Sequence, residues 1–321
     1  VHRLRDHRAM DLEPYRTELV AYSYRMLGSF HDAEDVVQDV LLRAWQARDR
    51  YDAGRASVRT WLYRIATNAC LTALTGRDRR PLPTGLGAPS NDPEAALTPA
   101  PAVPWLEPFP DARMELDVRA DIRLALVAAL QALPARQRAV LVLRQVLEFS
   151  AAEVAVQLDM SVPAVNSALQ RARATLAGVG DLGDVREPDD PKDREVVRRY
   201  ARAFEAADVP ALVRLVTDEV VLEMPPVPLW YLGSRDYGRF MHRVFRLRGA
   251  GWVTTELTAN GQPALAAYAP ESGGGHRLHT LQVFTVTGGL VSHNVVFADP
   301  GVFAAFGLAE SPASEKLRPE R

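Results

Sequence analysis

Three groups of residues have the types and spacing to do chemistry. Between Ser161 and Leu176, Ser161, Asn166, Ser167, Gln170, Arg171 and Arg173 share the outward side of a helix that turns Val165, Leu169 and Ala172 inward. Hydroxyls, amides and guanidinium groups are the donors that read base edges and hold phosphates in a major groove. A generic surface helix has a similar look, so the reading depends on what precedes this segment. Near the other end, Asp32, Asp35, Gln38 and Asp39 line much of one side of a helix. Carboxylates so spaced can hold a metal, but no His cluster or Gly turn completes a site, and docking to a protein is the better reading. The third group is aromatic and imidazole-bearing: Trp230, Tyr231, His242, Trp252, His279 and His293, with Asn294. A general base there would need a perturbed His or a buried acid close to a substrate. The chain has neither a G-x-x-x-x-G-K-[ST] phosphate loop nor a G-x-S-x-G nucleophile turn.

The elements that position these groups follow from periodicity. From Ala33 to Trp45, Val36, Val37, Val40, Leu41, Ala44 and Trp45 recur at helical spacing, with acids at the start where the helix dipole favours them. A second amphipathic helix, Ser57 to Leu71, should face Trp61, Leu62, Ile65 and Ala69 inward and Arg59, Arg64 and Asn68 outward. Cys70, the single cysteine, lies on its apolar side as a core filler, which excludes disulfides within the chain and fits a reducing cytoplasm.

Beyond Val118 the pattern is helical again. Ile122, Leu126, Ala129, Leu130 and Leu133 form a stripe ending at Pro134, and a helix from Ala135 to Leu147 follows. Ser150-Ala-Ala-Glu153 has the form of a capping box, so a helix starts there and buries Val154, Ala155 and Leu158. Asp159-Met160 makes the tight turn, Ser161 caps the next helix, and Pro163 is tolerated in its first turn. Two short helices joined by a short turn form a helix-turn-helix.

Between the helical regions, Pro81, Pro83, Pro89, Pro93, Pro99, Pro101, Pro104, Pro108 and Pro110 mark an extended linker. Its Trp105-Leu-Glu-Pro-Phe-Pro-Asp111 run is oddly aromatic for a spacer and suggests docking on a neighbouring domain or a partner. After a polar connector near Asp181 to Asp190 the character changes. Helices are expected at Lys192 to Ala207, Val209 to Val216 and Ser234 to Leu247, with a strand at Val220 to Met224. Antiparallel strands are expected at Trp252 to Leu257, Gln262 to Tyr268, His276 to Val286 and Leu290 to Phe297, with Gly288-Gly289 as a hairpin turn. The fold class is therefore multidomain: two all-α modules and a cone-shaped α+β domain.

Composition bounds the rest. At 321 residues, 47% apolar and 24% charged, the chain has room for two or three globular domains, and no run is apolar enough for a membrane span. The first ten residues lack the apolar stretch of a secretory signal, and Met10 is an alternative start to Val1. The net charge of −2 is uneven: residues 1–80 and 119–180 are mildly basic, and residues 81–118 are acidic. Such modest charge gives weak DNA binding alone, because affinity grows with each phosphate neutralised. A larger partner must supply the remainder.

The runs Asp32-Ala-Glu-Asp-Val-Val-Gln-Asp-Val40 and Trp61-Leu-Tyr-Arg-Ile-Ala-Thr-Asn68 resemble conserved region two of the extracytoplasmic-function sigma factors of bacterial RNA polymerase. The runs from Leu133 to Arg144 and from Phe149 to Arg173 resemble region four of the same family, with Asp159 where the family usually has Gly. Asp accepts left-handed backbone, so the turn should survive. Tyr200-Ala-Arg-Ala-Phe-Glu-Ala-Ala-Asp208 and Val295-Val-Phe-Ala-Asp-Pro300 are similar to the SnoaL-like branch of the nuclear-transport-factor-two-like superfamily. The resemblance implies region two at 11–80, a linker at 81–117, region four at 118–180 and a SnoaL-like domain at 190–310.

It further implies an alternative sigma subunit that binds core RNA polymerase, directs promoter recognition and melting, and is modulated by its C-terminal domain. Asp32, Asp35, Gln38, Asp39, Leu42 and Trp45 would meet the clamp helices of the largest subunit, while region four binds the flap. Tyr51, Arg55, Arg59, Arg64 and Asn68 would hold the melted minus-ten strand. The helix-turn-helix set named above would read the minus-thirty-five element. Opening some ten base-pair steps costs on the order of 14 kcal/mol, so bases must be trapped on aromatics, at roughly 1–3 kcal/mol each. Trp61, on the Ile65 face, is expected in the core. The SnoaL-like resemblance makes Trp230, Tyr231, His242, Trp252, His279, His293 and Asn294 candidates to face a cavity. A small ligand in the C-terminal domain is an open reading; no metal, cofactor or membrane is implied. The rivals are a helix-turn-helix regulator acting without polymerase and a SnoaL-type cyclase or isomerase.

Overall fold

The computed structural model describes residues 11–77, 79–113, 122–177 and 190–312. Its contacts divide the chain into two compact units at Arg79/Arg80 and Ala128/Ala129, so that the segment between the first and second helical regions groups with the C-terminal part.

The first unit is all-α. Its elements are α1 (Arg16–Leu27), α2 (Phe30–Ala47), α3 (Val58–Ala73), α4 (Leu124–Gln131, whose start belongs to the other unit), α5 (Ala135–Leu141), α6 (Ala151–Leu158) and α7 (Val162–Ala177). Gly28, at φ +69°, ends α1, and the Ser29 hydroxyl accepts the Asp32 N–H to start α2. Helix α2 buries Ala33, Val37, Val40 and Ala44, while Trp45 points outward, so the buried stripe is narrower than the apolar pattern suggested. Helix α3 buries Leu62, Tyr63, Ala66, Thr67, Ala69 and Cys70, and burial pushes the Cys70 thiol up to about 12. Trp61 and Ile65 are only half-buried, a rotation away from the expected face. The core is fastened by the Tyr22 hydroxyl on Thr67 Oγ1 at 2.8 Å and by edge-on packing of Tyr63 against Phe149.

One buried guanidinium joins the start of α5 to α1. Arg138 donates to the carbonyls of Met26, Gln131 and Leu133 and to Gln131 Oε1. These acceptors are neutral, and burial depresses the guanidinium pKa to about 10. After α5 the chain makes a π-turn at Val142–Val146 within the expected Ala135 to Leu147 helix. The Ser150–Glu153 capping box forms in both directions, at 3.2 and 2.7 Å. Asp159 closes α6 in the left-handed region, at φ +53° and ψ +54°. The Ala164 N–H reaches the Ser161 hydroxyl at 3.3 Å, with Pro163 in the first turn of α7.

The second unit is α+β: α8 (Pro191–Glu205), α9 (Val209–Arg214), β1 (Val216–Met224), β2 (Val227–Leu232), α10 (Ser234–Arg248), β3 (Val253–Ala259), β4 (Gln262–Pro270), β5 (His276–Thr287), β6 (Leu290–Phe297) and α11 (Pro300–Ala305). The sheet order is β2-β1-β6-β5-β4-β3, antiparallel except for the parallel β1–β6 pair. Strand β2 escaped the sequence pattern because Pro225, Pro226 and Pro228 crowd it and read as a breaker. Irregularities at Glu223/Met224, Ala267/Tyr268 and Thr285/Val286 are the kind that bend strands. Leu265, Ala267 and Ala269 of β4 face the helices' core, with Tyr200, Phe204, Tyr237 and Phe240. Ala264, Ala266 and Tyr268 on the opposite face are buried too.

The proline-rich segment is extended, as its composition suggests, but it is not a free spacer. It is anchored along the C-terminal domain. Ser90 N–H donates to Trp230 O at 2.8 Å, Ala100 N–H to Pro226 O at 2.9 Å, and Thr84 N–H to the buried Glu223 carboxylate at 2.8 Å. Its aromatic run docks most firmly: Phe109 and Asn260 exchange backbone and side-chain hydrogen bonds, and Asp111 accepts the Gly261 N–H. Residues 114–117, the end of the expected linker, and 118–121, the start of the expected region four, lie outside the described residues.

Left-handed backbone at a non-glycine residue costs roughly 1 kcal/mol, so Asp159→Gly should hold or raise stability by up to about that amount. Asp159→Val should lower it by about 1–2 kcal/mol. Denaturant midpoints of the full chain at unchanged m-value would check both.

Candidate nucleic-acid interface and C-terminal cavity

Four of the six docking candidates form one exposed stripe on α2. Asp35, Gln38, Leu42 and Trp45 follow at three- and four-residue steps, with Leu42 and Trp45 about half exposed at 53% and 56%. Asp39 is held by Arg43 at 2.7 Å and Asp32 by Arg77 at 2.9 Å, and the Arg48 guanidinium covers the Trp45 ring at 4.2 Å. Large apolar side chains left in water beside carboxylates are what a protein-docking face requires.

The second candidate group surrounds a hollow of about 260 Å³ lined by Arg50, Tyr51, Asp52, Arg55, Thr60, Trp61, Arg64, Val156 and Gln157. The Tyr51 hydroxyl is pinned on Ala56 O at 2.9 Å, and its ring packs on Trp61 at 5.1 Å with a 39° tilt. Arg55, Arg64 and Asn68 are exposed. Arg59 is used internally: its Nε donates to Glu18 at 2.9 Å, and it lies over the Tyr63 and Phe149 rings. Gln157 is buried with neither amide atom hydrogen-bonded. The arrangement offers aromatic faces and three guanidinium groups at one opening, suited to an unstacked base and its phosphates. On α7, Ser161, Asn166, Ser167, Gln170, Arg171 and Arg173 are all exposed, and Val165, Ala168, Leu169 and Ala172 form the buried side.

The C-terminal candidates separate into two roles. Trp252 and His279 line a cavity of about 360 Å³ with Phe204, Met224, Phe240, Met241, Val244, Gln282 and Val296, and with Leu97 and Pro99 of the docked segment. Trp230, Tyr231, His242 and His293 do not line it. Trp230 Nε1 donates to Gly87 O at 2.8 Å and the Tyr231 hydroxyl to Asp92 O at 3.2 Å, so both hold the segment. His293 bonds the buried Glu223 at 2.8 Å, and His242 is exposed. Burial, helped by the Arg248 charge, lowers the His279 pKa to about 4. Among the described residues no carboxylate lines this cavity.

Three family models match the chain. The Sigma-70 region 2 model matches residues 12–80, the Sigma-70 region 4 model residues 123–176, and the SnoaL-like domain model residues 197–294. The ECF RNA polymerase sigma factor SigG of Mycobacterium tuberculosis is 48% identical over 309 residues, covering 93% of this chain and 83% of that protein. The chain belongs to the ECF sigma factors. SigJ of the same organism is 27% identical over 94% of this chain and 95% of its own length. The SigJ crystal structure superposes with a TM-score of 0.64 at 24% identity, covering 92% of this chain and 98% of that one, a likeness of fold.

In this sigma factor Trp61, expected in the core, is half-buried and lines the hollow. It shares a helix face with Arg64 and Asn68, three and seven residues on, both read as outward; that spacing was the available signal. Arg50 and Thr60 lie within the Asp49-to-Trp61 stretch that supplies most of the hollow, whereas Val156 and Gln157 of α6 join it only through tertiary packing. Among the described residues no group of three or more metal-ligating side chains gathers, and no helix is long and apolar enough to cross a membrane.

His279 stays neutral in the folded protein down to about pH 4, whereas the free side chain protonates near 6.5. Its contribution to stability is therefore complete above about pH 6.5 and is lost as the pH falls toward 4. Replacing His279 with Gln should flatten the decline in melting temperature between these values, measured by a thermal denaturation series across pH.

Proposed function

We propose that this ECF sigma factor docks on core RNA polymerase through the α2 stripe and traps a minus-ten base in the Tyr51–Trp61 hollow. Helix α7 reads the minus-thirty-five element, and the C-terminal domain controls the tether between the two DNA-reading regions. The hollow carries the reading: an aromatic pair among guanidinium groups has no other evident work at an exposed surface. The flap and clamp contacts rest on the family resemblance.

Promoter elements some 25 base pairs apart are separated by about 80 Å of duplex at 3.4 Å per pair. A compact unit of this size has a radius of gyration of only about 14 Å. Regions two and four, here packed together through Tyr63–Phe149 and Arg138, must separate to engage both elements. A tether free from Arg80 to Ile122 would reach far enough at about 3.3 Å per residue; one docked on the C-terminal sheet is held back. The C-terminal cavity has no carboxylate among its described lining, and its histidine is a weak base near neutrality, so the domain serves binding rather than turnover.

Run-off transcription with purified core polymerase on genomic promoters tests the reading. Trp61→Ala should reduce open-complex formation about 5- to 150-fold, the equivalent of losing 1–3 kcal/mol of base stacking, as read by permanganate reactivity of the opened strand. Paired Asp substitutions at Leu42 and Trp45 should prevent co-elution with core enzyme while leaving the circular dichroism spectrum unchanged. Ala at Arg171 and Arg173 should weaken upstream-element protection in footprints and reduce its salt dependence.

A further inference from the structure

We infer that the C-terminal cavity is a receptor site for a compact apolar organic anion, a carboxylate on a hydrocarbon or aromatic body, and that the tether segment Glu94 to Pro99 closes over it. The cavity volume of about 360 Å³ lies in the range of small-molecule pockets, at its lower end. Its body is aliphatic and aromatic, from Phe204, Met224, Phe240, Met241, Val244 and Val296.

Its polar features have one sign. Arg243 and Arg248 are the charged residues of the described lining, and His279 is held neutral by its surroundings. Arg248 makes no ion pair among the described residues, whereas the neighbouring Arg246 is taken by Glu94 at 2.7 Å. Gln282 supplies a neutral donor: its Oε1 already accepts from Asn294 Nδ2 at 3.1 Å and from the Tyr200 hydroxyl, which leaves its Nε2 to donate. A carboxylate satisfies a guanidinium and an amide N–H together; a cation would meet repulsion, and a neutral hydrocarbon would leave both donors unused.

The tether forms part of the wall. Leu97, 40% exposed, and Pro99 line the cavity from the segment between regions two and four. Arg243 holds that stretch by donating to Pro93 O at 2.8 Å and Ala95 O at 2.7 Å, with Glu94 Oε2 3.9 Å from its Nε. The same guanidinium thus borders the ligand space and fixes the strap. An occupant that packs under Leu97 and Pro99 adds contacts available only when the strap is closed, so it must favour the docked tether.

Binding is measured on the full chain, without polymerase or DNA, so its failure would leave the sigma-factor reading standing. The probes are 2-naphthoate and its uncharged counterpart 2-naphthylmethanol, titrated by calorimetry. Naphthoate is expected to saturate with a Kd below about 1 mM. The alcohol, and naphthoate on Arg248→Gln, should bind about tenfold more weakly. Val244→Trp, which fills the cavity, should abolish the signal, and bound naphthoate should slow amide exchange at residues 94–100. Equal binding of acid and alcohol, unchanged binding to Arg248→Gln or Val244→Trp, unaltered exchange, or no saturation at 10 mM would each overturn the proposal. If Val244→Trp does not fold, the neutral probe and Arg248→Gln decide.

Discussion

The arrangement of the second unit depends on one turn, Asn260 to Gln262, which holds two separate points of the chain that runs between regions two and four. The Asn260 side chain accepts the Phe109 N–H and donates to Ile122 O, and its backbone N–H reaches Phe109 O. Asp111 takes the Gly261 N–H, and Gln262 Oε1 takes the Leu124 N–H at 2.9 Å. Asn260 sits at φ +58°, a conformation Asn accepts more readily than most residues, and its burial is complete. Each buried partner left unpaired would cost about 1–3 kcal/mol, so the clasp is specific rather than a general adhesion of apolar surface.

Given this clasp, the rest of the docked segment needs only local fastening. Glu223 illustrates how. It is buried in β1, yet one oxygen receives Thr84 N–H from the segment and the other His293 from β6, so a buried carboxylate is satisfied by two donors. Trp230, Tyr231 and Arg243 add side-chain donors to segment carbonyls, the acceptors that a proline-rich chain has in surplus because it lacks some N–H groups. In this chain the C-terminal domain is a surface along which the segment between regions two and four is anchored.

Much of this was legible beforehand. Helix starts at Ser57, Ser150 and Ser161, the left-handed Asp159, the inward face of α7 and the hairpin at Gly288-Gly289 follow from local rules that act within a few residues. What was hidden depends on packing between distant segments. Trp61 was assigned inward from Ile65, although its spacing to Arg64 and Asn68 carried the opposite message. Arg59 looked like a free cation, but Glu18, 41 residues earlier, holds it. Trp230, Tyr231 and His293 have the composition of a pocket and serve as anchors, because strand alternation does not reveal which face a distant proline-rich segment will cover. Strand β2 was lost among prolines that an edge strand tolerates.

The central claim is that the tether is held along the C-terminal domain. Amide hydrogen exchange of the full chain, resolved across residues 80–113, tests it most directly. The expected result is slowed exchange at Thr84, Ser90, Ala100, Leu106 and Phe109, with Phe109 and Leu106 released by Asn260→Ala while Val37 and Leu62 in the first unit are unaffected. Exchange at the rate of an unstructured peptide throughout that segment would contradict the account.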